Sequence, residues 1–352
     1  MNLLRIGPAQ PVRNVAYKAD NNGGWSTNPN NDSSGTIRHF DPLDVVRCAL
    51  VGENSMPNHA FTLSGLSYTR SFGVSLLDLS RKRLSPRTKD AVWVWSEGRH
   101  VLGIASVRPR AGRQSWEVAN LYLDSPSRLP VANLLEQLSV SAASQGAERI
   151  FLRLQQDDDV ISSARLSGFF PLAQETLYRG GPLSEESGQG SLFDADARLR
   201  KKEKPDEYGL FRLHNIATPA EVRILSGMTF DQWASSHEQS PGRYDERVFD
   251  GKGTIRGWLG TAEHSSVGNL ATMLHPDDES VIEDIVIAGL RRLSNTKTVF
   301  CVVPEYQFAL SRTLEQQNFR PEGEFITLVK STAKTVRESN LARSALASRE
   351  PM

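Results

Sequence analysis

The segments LGIASV (102–107), WEVANLYLD (116–124) and RIFLRL (149–154) follow one another in the first half of the chain. A second set keeps the same order later: RGWLGT (256–261), VGNLATML (267–274) and VFCVV (299–303). In both sets a helical run separates the last two segments, and Gly103 and Gly257 occupy matching positions 154 residues apart. Solenoid repeats have periods of roughly 20–50 residues, so a repeat of this length indicates a duplicated domain.

The composition is that of a two-domain globular protein. The chain has 352 residues, 39% hydrophobic and 23% charged, and domains typically have about 100–200 residues. Its 41 basic and 41 acidic residues balance, which argues against nucleic acid or an anionic membrane as a partner. No apolar run approaches the roughly 20 residues of a membrane span. Two cysteines, Cys48 and Cys301, are too few for a disulfide scaffold, so we expect a cytoplasmic protein.

Shifts in composition predict the domain boundaries. Residues 1–37 are rich in Asn, Gly and Ser, and we interpret them as a flexible arm. The first domain is predicted over 38–181 and the second over 208–336, with a Gly-, Ser- and charge-rich linker at 182–207. Residues 337–352 form a tail with few large apolar side chains.

Local patterns predict mixed strand pairing in each half. Residues 91–107 and 247–262 are expected to be hairpins, because each has a Gly-containing turn between apolar stretches. The strand–helix–strand succession after each hairpin predicts a parallel pair. Before the second hairpin, YGLFRLHNI (208–216) is interpreted as a strand, followed by a helix that Thr218 caps in a capping box with Glu221.

This order of elements resembles the GNAT family of acyl-CoA-dependent N-acetyltransferases. The resemblance also rests on the closing pattern, in which a helix is followed by Gly168-Phe169 or Asn318-Phe319 and then a last strand. It covers about residues 38–181 and 208–331. It implies an α/β protein of two tandem GNAT-like domains, each a mixed sheet with helices on both faces.

The resemblance implies a chemistry as well as a fold. In the family, two central strands separate, the pantetheine arm of acyl-CoA inserts between them, and the pyrophosphate lies on the start of the following helix. The implied function is transfer of an acetyl group from acetyl-CoA to an amine of a small molecule or peptide. The alternative is a GNAT-fold binding or scaffold protein that has lost catalysis.

The two loops that would hold the pyrophosphate differ from the family pattern. In the first half, Leu123, Ser125, Ser127 and Arg128 are the candidate cofactor contacts, although the loop has no glycine and Pro130 lacks an N–H. In the second half, residues 277–279 are Asp, Asp and Glu, which repel phosphate. We therefore predict that acyl-CoA binds the first half.

The catalytic candidates follow from the same comparison. Glu117, on the fourth strand, is the candidate general base, although an ordinary strand glutamate fits the pattern too. The tyrosine that many relatives use as the acid is replaced by Ala164 and by Leu314, and Tyr178 is the candidate substitute.

Two further side chains are candidates for contact with the acceptor. Asn120 lies on the fourth strand of the first half, and Tyr306 follows the fifth strand of the second half. The seven histidines are scattered and form no His-x-x-x-His or Cys-x-x-Cys pair, so we predict no metal site.

Overall fold

The computed structural model of the chain describes residues 18–19, 25–26, 35–49, 56–67, 78, 91–183, 199–238, 242–251 and 253–332. The first half comprises β1 (Lys18–Ala19), β2 (Trp25–Ser26), β3 (Thr36–His39), α1 (Leu43–Ala49), α2 (Leu63–Ser67), β4 (Ala91–Glu97), β5 (His100–Pro109), β6 (Ser115–Leu123), α3 (Arg128–Ser144), β7 (Arg149–Gln155), α4 (Val160–Leu166) and β8 (Phe170–Gly180).

The second half repeats this order. It comprises β9 (Leu199–Lys201), α5 (Asp206–Ala217), α6 (Ala220–Ser226), α7 (Phe230–Ser236), β10 (Arg243–Gly251), β11 (Thr254–His264), β12 (Val267–Leu274), a 3₁₀ helix (Pro276–Val281), α8 (Ile282–Arg292), β13 (Thr298–Pro304), α9 (Phe308–Gln316) and β14 (Arg320–Ser331). Both predicted hairpins are confirmed as β4–β5 and β10–β11.

All the strands join in one sheet. Their order is β1-β2-β3-β4-β5-β6-β7-β14-β8-β13-β12-β11-β10-β9. The pairs β6–β7 and β12–β13 are parallel, as the strand–helix–strand succession predicts, and the remaining pairs are antiparallel. The predicted fold of two tandem GNAT-like domains is confirmed in this topology.

The two halves exchange their closing strands. β14, from the second half, lies between β7 and β8 of the first, with Ile326 opposite Leu154 and Gln174. In return, β8 pairs with β13, with Tyr178 opposite Cys301. Each half of the sheet is therefore completed by a strand from the other half.

Helices cover both faces of the sheet. In the first half, α3 and α4 bury Leu134, Leu135 and Ala164 against one face, while Cys48 of α1 joins a core on the opposite face. In the second half, the core of α8 and α9 and the core of α5 and α7 lie on opposite faces in the same way. Burial of these apolar side chains stabilises both layers.

The closing pattern has a backbone cause. Gly168 and Asn318 end equivalent helices with positive φ values of 84° and 63°, a conformation that glycine and asparagine adopt most readily. The following residues, Phe169 and Phe319, are then buried. This turn explains why the two motifs match across the repeat.

The strand predicted at 208–216 is wrong, because these residues lie in the helix α5. Leu210 and Leu213 are three residues apart, so they share one face of the helix, and both are buried. Asp206 stabilises the start of the helix by accepting a hydrogen bond from Glu203 N at 2.7 Å. The predicted capping box is wrong too. Pro219 is the N-cap of α6, and the Thr218 hydroxyl bonds the His214 ring instead, at 3.3 Å.

The predicted linker contains a strand. Within 182–207, β9 pairs with β10, and Leu199 of β9 is buried in the second-half core. The predicted arm at 1–37 lies mostly outside the described residues, apart from β1, β2 and the start of β3, and the tail at 337–352 lies wholly outside them. The domain boundaries stay a prediction.

None of the described helices has the length and apolar character needed to cross a membrane.

Candidate functional site

A cavity of about 700 Å³ lies between the two halves, and we call it the central cavity. The first half contributes Arg110, Arg153 and Glu175 to its wall, and the second half contributes Trp233, Trp258 and Tyr306. Its size falls in the range of about 300–1,000 Å³ that is common for small-molecule sites. The cavity is therefore our candidate functional site.

One side of the wall is a stripe of α5. Glu207, Leu210, His214 and Thr218 follow one another at intervals of three or four residues, so they share one face of the helix, and all four line the cavity. The prediction of a strand over 208–216 hides this stripe, because Glu207 and Thr218 lie outside that range and strand alternation would place Glu207 on the face opposite to Leu210 and His214.

Aromatic side chains form a second part of the wall. Trp258 and Tyr244 lie near Gly260, where an added Cβ would be 2.7 Å from the Trp258 ring and 3.2 Å from the Tyr244 hydroxyl. A side chain at position 260 would displace both, so the glycine permits their approach. Trp233, from α7, is buried beside the His237 ring at 4.6 Å between centroids.

Glu246 holds the aromatic part of the wall in place. It accepts hydrogen bonds from Trp258 Nε1 and from Lys202 Nζ, each at 3.0 Å. Tyr244 is half exposed; partial loss of solvent in the cavity wall raises the pKa of its phenol, and the neighbouring Glu246 raises it further. The phenol therefore stays protonated at neutral pH.

Buried ion pairs close the opposite side. Arg153 donates to Glu175 at 2.7 Å and to Glu238 at 2.7 Å, and Arg110 donates to Glu238 at 3.2 Å. Burial by itself would raise the pKa of Glu238, but Arg153 and Arg110 outweigh it and lower the pKa to about 2. Glu238 is thus ionised, and these charges are used in structure rather than left open for a ligand.

Both histidines of the wall are neutral at pH 7. Burial, followed by the charges of His237 and Arg223, lowers the pKa of His214 to about 4. Burial lowers the pKa of His237 as well. They add hydrogen-bonding groups to the cavity and no positive charge.

In the first half the parallel strands β6 and β7 separate after a short pairing. They pair only through residues 115–117 and 149–151. A register shift in the β5–β6 pairing leaves Ala119 as an extra residue, which forms a β-bulge next to the point where the strands separate. We call the opening beyond it the first-half gap.

The chain's own backbone fills the first-half gap. Residues 57–61, which we call the plug, lie between the strands: His59 N donates to Leu121 O at 2.8 Å and Phe61 N donates to Arg153 O at 2.9 Å. The Asn58 side chain fastens the plug, since its Oδ1 accepts from Leu121 N at 2.8 Å. The position that an inserted ligand strand would take is occupied.

The second half has the same opening without a plug among the described residues. β12 and β13 pair only from Val267–Leu270 with Thr298–Cys301, and both strands continue beyond that point. Met273 of β12, Pro304 of β13 and the following Tyr306 all line the central cavity. This second-half gap therefore opens onto the cavity.

The helix starts next to the two gaps differ in the opposite sense: the start beside the filled first-half gap is accessible, whereas acidic residues surround the start beside the open second-half gap. In the first half, Ser125, Ser127 and Arg128 are exposed and Ser127 makes no side-chain cap, so the start of α3 is accessible. In the second half, Asp278 pairs with Arg256 at 2.5 Å and Asp277 lies 3.6 Å from it. The ion pairs reduce the repulsion of an anion, and Arg256 Nε is engaged by Asp278, while Arg256 Nη2 makes no hydrogen bond among the described residues.

The structure separates most of the predicted site residues. Glu117 is buried as a counter-ion, accepting from Arg108 Nε at 2.8 Å and from Arg110 Nε at 3.1 Å. On the same strand, Asn120 donates to Ser106 Oγ at 2.8 Å, and Leu123 is fully buried at the strand end. These contacts are structural, and only Arg110 links this group to the central cavity.

The two tyrosines lie in different places. Tyr178 is buried in the second-half core and donates to Glu315 at 3.0 Å, away from the cavity wall. Tyr306 does line the cavity, together with Thr218. Glu207, His214 and Trp258 line the cavity and are not identified from the sequence. Helical spacing over 206–218 would have indicated Glu207 and His214, but not Trp258. Within the described ranges, no cluster of three or more His, Cys, Asp or Glu could hold a metal ion.

Comparison with known proteins gives structural likenesses alone. No protein-family model matches the chain, and no curated protein matches it either. The chain is similar to a GCN5-related N-acetyltransferase from Sphaerobacter thermophilus, at 13% identity and a TM-score of 0.48 over 87% of this chain and 97% of that one. It is similar to a tandem GNAT protein from the clavulanic acid biosynthesis pathway, at 14% identity and a TM-score of 0.46 over 84% and 98%.

A more remote likeness is to an N-myristoyltransferase from Saccharomyces cerevisiae with bound myristoyl-CoA. Identity is 13% and the TM-score 0.42, over 85% of this chain and 80% of that one. At these identities and scores, none of the three likenesses identifies a substrate or a catalytic residue in this chain. The function has to be argued from the cavity itself.

Proposed function

We propose that the protein transfers an acyl group from a CoA thioester to an amine held in the central cavity. One observation carries the proposal: the second-half gap opens onto the cavity at Met273, Pro304 and Tyr306. The unpaired edges of β12 and β13 suit the amide groups of a pantetheine arm, which would add to the sheet like a short strand. The thioester would then meet the contents of the cavity.

The reaction needs an amine, a thioester and somewhere for one proton to go. The neutral amine nitrogen attacks the thioester carbonyl, the C–N bond forms, the C–S bond breaks, and the amine proton ends on the CoA sulfur. Tyr306 is our candidate relay: its phenol gives its proton to the departing sulfur and takes up the proton that the amine nitrogen loses, so that it ends the reaction protonated. Burial raises the pKa of Tyr306, so the phenol is protonated at neutral pH.

This proposal moves the acyl-CoA site from the first half to the second. The sequence alone favours the first half, because Ser125, Ser127 and Arg128 surround an accessible helix start. The plug at residues 57–61 occupies the first-half gap, however, and a pantetheine arm could enter only by displacing its hydrogen bonds. In our proposal Glu117 and Tyr178 take no part in proton transfer.

A second candidate function is ligand binding without acyl transfer. It is favoured by the loop at residues 277–279, where three acids precede the helix and Arg256 is already paired. The open gap lies in one half and the accessible helix start in the other. If acyl-CoA binding needs an open gap and an accessible helix start in the same half, neither half binds acyl-CoA. The cavity would then bind another ligand without acyl transfer.

Acetyl-CoA binding to the full chain distinguishes these possibilities. We expect acetyl-CoA at 100 times its Kd to stabilise the protein by about 2.7 kcal/mol in thermal unfolding. Binding should weaken in Arg256→Ala, which exposes the acids, and strengthen in Asp278→Asn. Arg128→Ala is the matched control from the first half and should leave binding unchanged.

The opposite pattern would return the site to the first half. Loss of binding in Arg128→Ala together with no effect of Arg256→Ala would contradict the second-half assignment. No binding at millimolar acetyl-CoA would reject acyl transfer and favour the binding protein. Release of CoA thiol in the presence of amines would then confirm the chemistry where binding is found.

A further inference from the structure

Glu207 is an acid on the cavity wall without a cationic partner. The other acids of the wall are neutralised: Glu175 and Glu238 by arginine and Glu246 by Lys202. Among the described residues, no ion pair and no side-chain hydrogen bond reaches the Glu207 carboxylate, although its backbone N–H donates to Lys204 O. A carboxylate that lines a cavity in this way is available to a ligand.

The charge balance of the wall agrees with this. The wall includes three basic residues, Arg110, Arg153 and Lys202, and four acidic ones. Since both histidines are neutral at pH 7, the wall has one excess negative charge. A ligand with a positive group restores the balance, and an anion would meet repulsion.

The helix α5 sets the distance between Glu207 and the second-half gap. Glu207 lies in its first turn, and Thr218, which lines the cavity together with Tyr306, follows its last residue. Eleven residues at the rise of an α-helix separate their Cα atoms by about 16 Å. The wall of the cavity therefore follows α5, with Glu207 at one end of this stripe and Thr218 at the other, and Tyr306 of the second-half gap lines the same wall.

Apolar side chains line the space between these ends. Leu210 follows Glu207 on the same stripe, Trp233 and Met228 line the same cavity, and Met273 lies at the second-half gap. They suit a hydrocarbon or aromatic body, with the flexible methionines adapting to its shape. Aromatic rings in the wall also favour a nearby cation.

We propose that the central cavity binds an elongated amine with two functional ends. A cationic group pairs with Glu207, an apolar body follows the α5 stripe, and a second amino group lies at the second-half gap as the acyl acceptor. The role of the second amino group rests on the proposed function. The contact with Glu207 does not depend on it, because it needs no acyl-CoA.

Isothermal titration of the full chain without acyl-CoA tests the contact. The probes are 8-amino-1-octanol and 1,8-octanediol, which have the same length and differ in one charged group. We expect the amino alcohol to bind at least tenfold more tightly, and Glu207→Gln to abolish this difference. Glu221→Gln is the control, since Glu221 is an exposed acid in the first turn of α6 and lies off the cavity wall.

Three results would overturn the inference: equal binding of the two probes, no measurable binding of the amino alcohol at millimolar concentration, or a preference that survives in Glu207→Gln. Acyl transfer is measured separately, as CoA release from acetyl-CoA with 1,8-diaminooctane. Tight, Glu207-dependent binding without CoA release would reject the proposed transfer while leaving the amine site in place.

Discussion

Arg153 Nη2 donates a hydrogen bond of 2.7 Å to Glu238 Oε1, and the two residues come from different halves of the repeat. Glu238 also accepts from Arg110 Nη2 at 3.2 Å and from the backbone N–H of Leu63 at 2.8 Å, both in the first half. The Arg153 side chain is 6% exposed and that of Glu238 12%. The carboxylate thus joins the two halves beneath the cavity.

Replacing Glu238 should destabilise the whole protein. Glu238→Gln leaves Arg153 and Arg110 with a missing counter-charge in a buried place, and loss of one partner of such a pair typically costs about 3–5 kcal/mol. We expect a lower midpoint of urea unfolding for the full chain. Glu322→Gln is the control, because its pair with Arg179 is exposed and such pairs contribute about 0–1 kcal/mol. Equal midpoints for the two variants would reject a structural role for Glu238.

Local features of the fold were predictable from the sequence. The hairpins follow from Gly-containing turns between apolar stretches, and Gly98 lies in the first turn with positive φ. In the second hairpin the sequence places the turn at Asp250-Gly251, whereas these residues end β10 and the glycine with positive φ is Gly253. Gly168 and Asn318 mark the same kind of helix ending in the two halves, since both residues have positive φ. Such signals depend on residues close together in the chain, so a single sequence reveals them.

The exchange of β8 and β14 was not predictable in this way. Both strands follow equivalent helices and have similar apolar patterns, so either could complete either half. Their placement depends on pairs such as Ile326 with Leu154, which are distant in sequence. The plug at 57–61 has no periodic signal either, because apart from the Asn58 side chain its hydrogen bonds use backbone groups, which every residue except proline carries in full.

The site was harder to predict than the fold, because helix α5 was interpreted as a strand. YGLFRLHNI has aromatic and branched residues that favour strands, but burial of Leu210 and Leu213 against the sheet overrides that preference. Once α5 is helical, Glu207 and His214 share a face. Tyr306 alone among the predicted site residues lies on the cavity wall.

Stability should depend on pH through His214. Its pKa is lowered to about 4 in the folded protein, chiefly by burial, whereas an unfolded histidine has a pKa of about 6.5. The unfolded chain therefore takes up a proton first as the pH falls. This contribution to stability is complete above about pH 6.5 and is lost as the pH falls towards 4, with a limit of about 3 kcal/mol.

Urea unfolding between pH 7.5 and 4.5 measures this effect. The wild type should lose stability with falling pH more steeply than His214→Asn, by up to about 1.4 kcal/mol per pH unit for one proton. The exposed His100 provides the control, and His100→Asn should follow the wild type. Parallel curves for the wild type and His214→Asn would show that the imidazole titrates normally in the folded protein.

Neither half should fold alone, because each lacks its central strand. A fragment of residues 1–198 keeps β7 and β8 but loses β14, which pairs with both. Its unpaired strand edges and exposed core favour association. We expect no monomer with a cooperative unfolding transition, and recovery of one when residues 199–352 are co-expressed. A stable monomer of either fragment, seen by size-exclusion chromatography and thermal unfolding, would contradict the exchanged arrangement.

The plug should depend on Asn58. Its Oδ1 accepts from Leu121 N at 2.8 Å and its Nδ2 donates to Ala60 O at 2.8 Å, so Asn58→Ala removes partners from backbone groups next to the buried Leu121. Leaving such groups unpaired costs about 1–3 kcal/mol. We expect lower stability in urea and faster hydrogen exchange at the Leu121 amide.

Asn215→Ala provides the control for this change, because Asn215 lies on α5 and makes no side-chain hydrogen bond among the described residues. Its stability should stay within about 0.5 kcal/mol of the wild type. Unchanged exchange at Leu121 in Asn58→Ala would show that the plug is held by its backbone bonds alone. Acetyl-CoA binding gives an independent readout. If the plug closes the first half, Asn58→Ala should bind acetyl-CoA at an additional site, and Asn215→Ala should not. Adding Arg128→Ala to Asn58→Ala should weaken that additional binding.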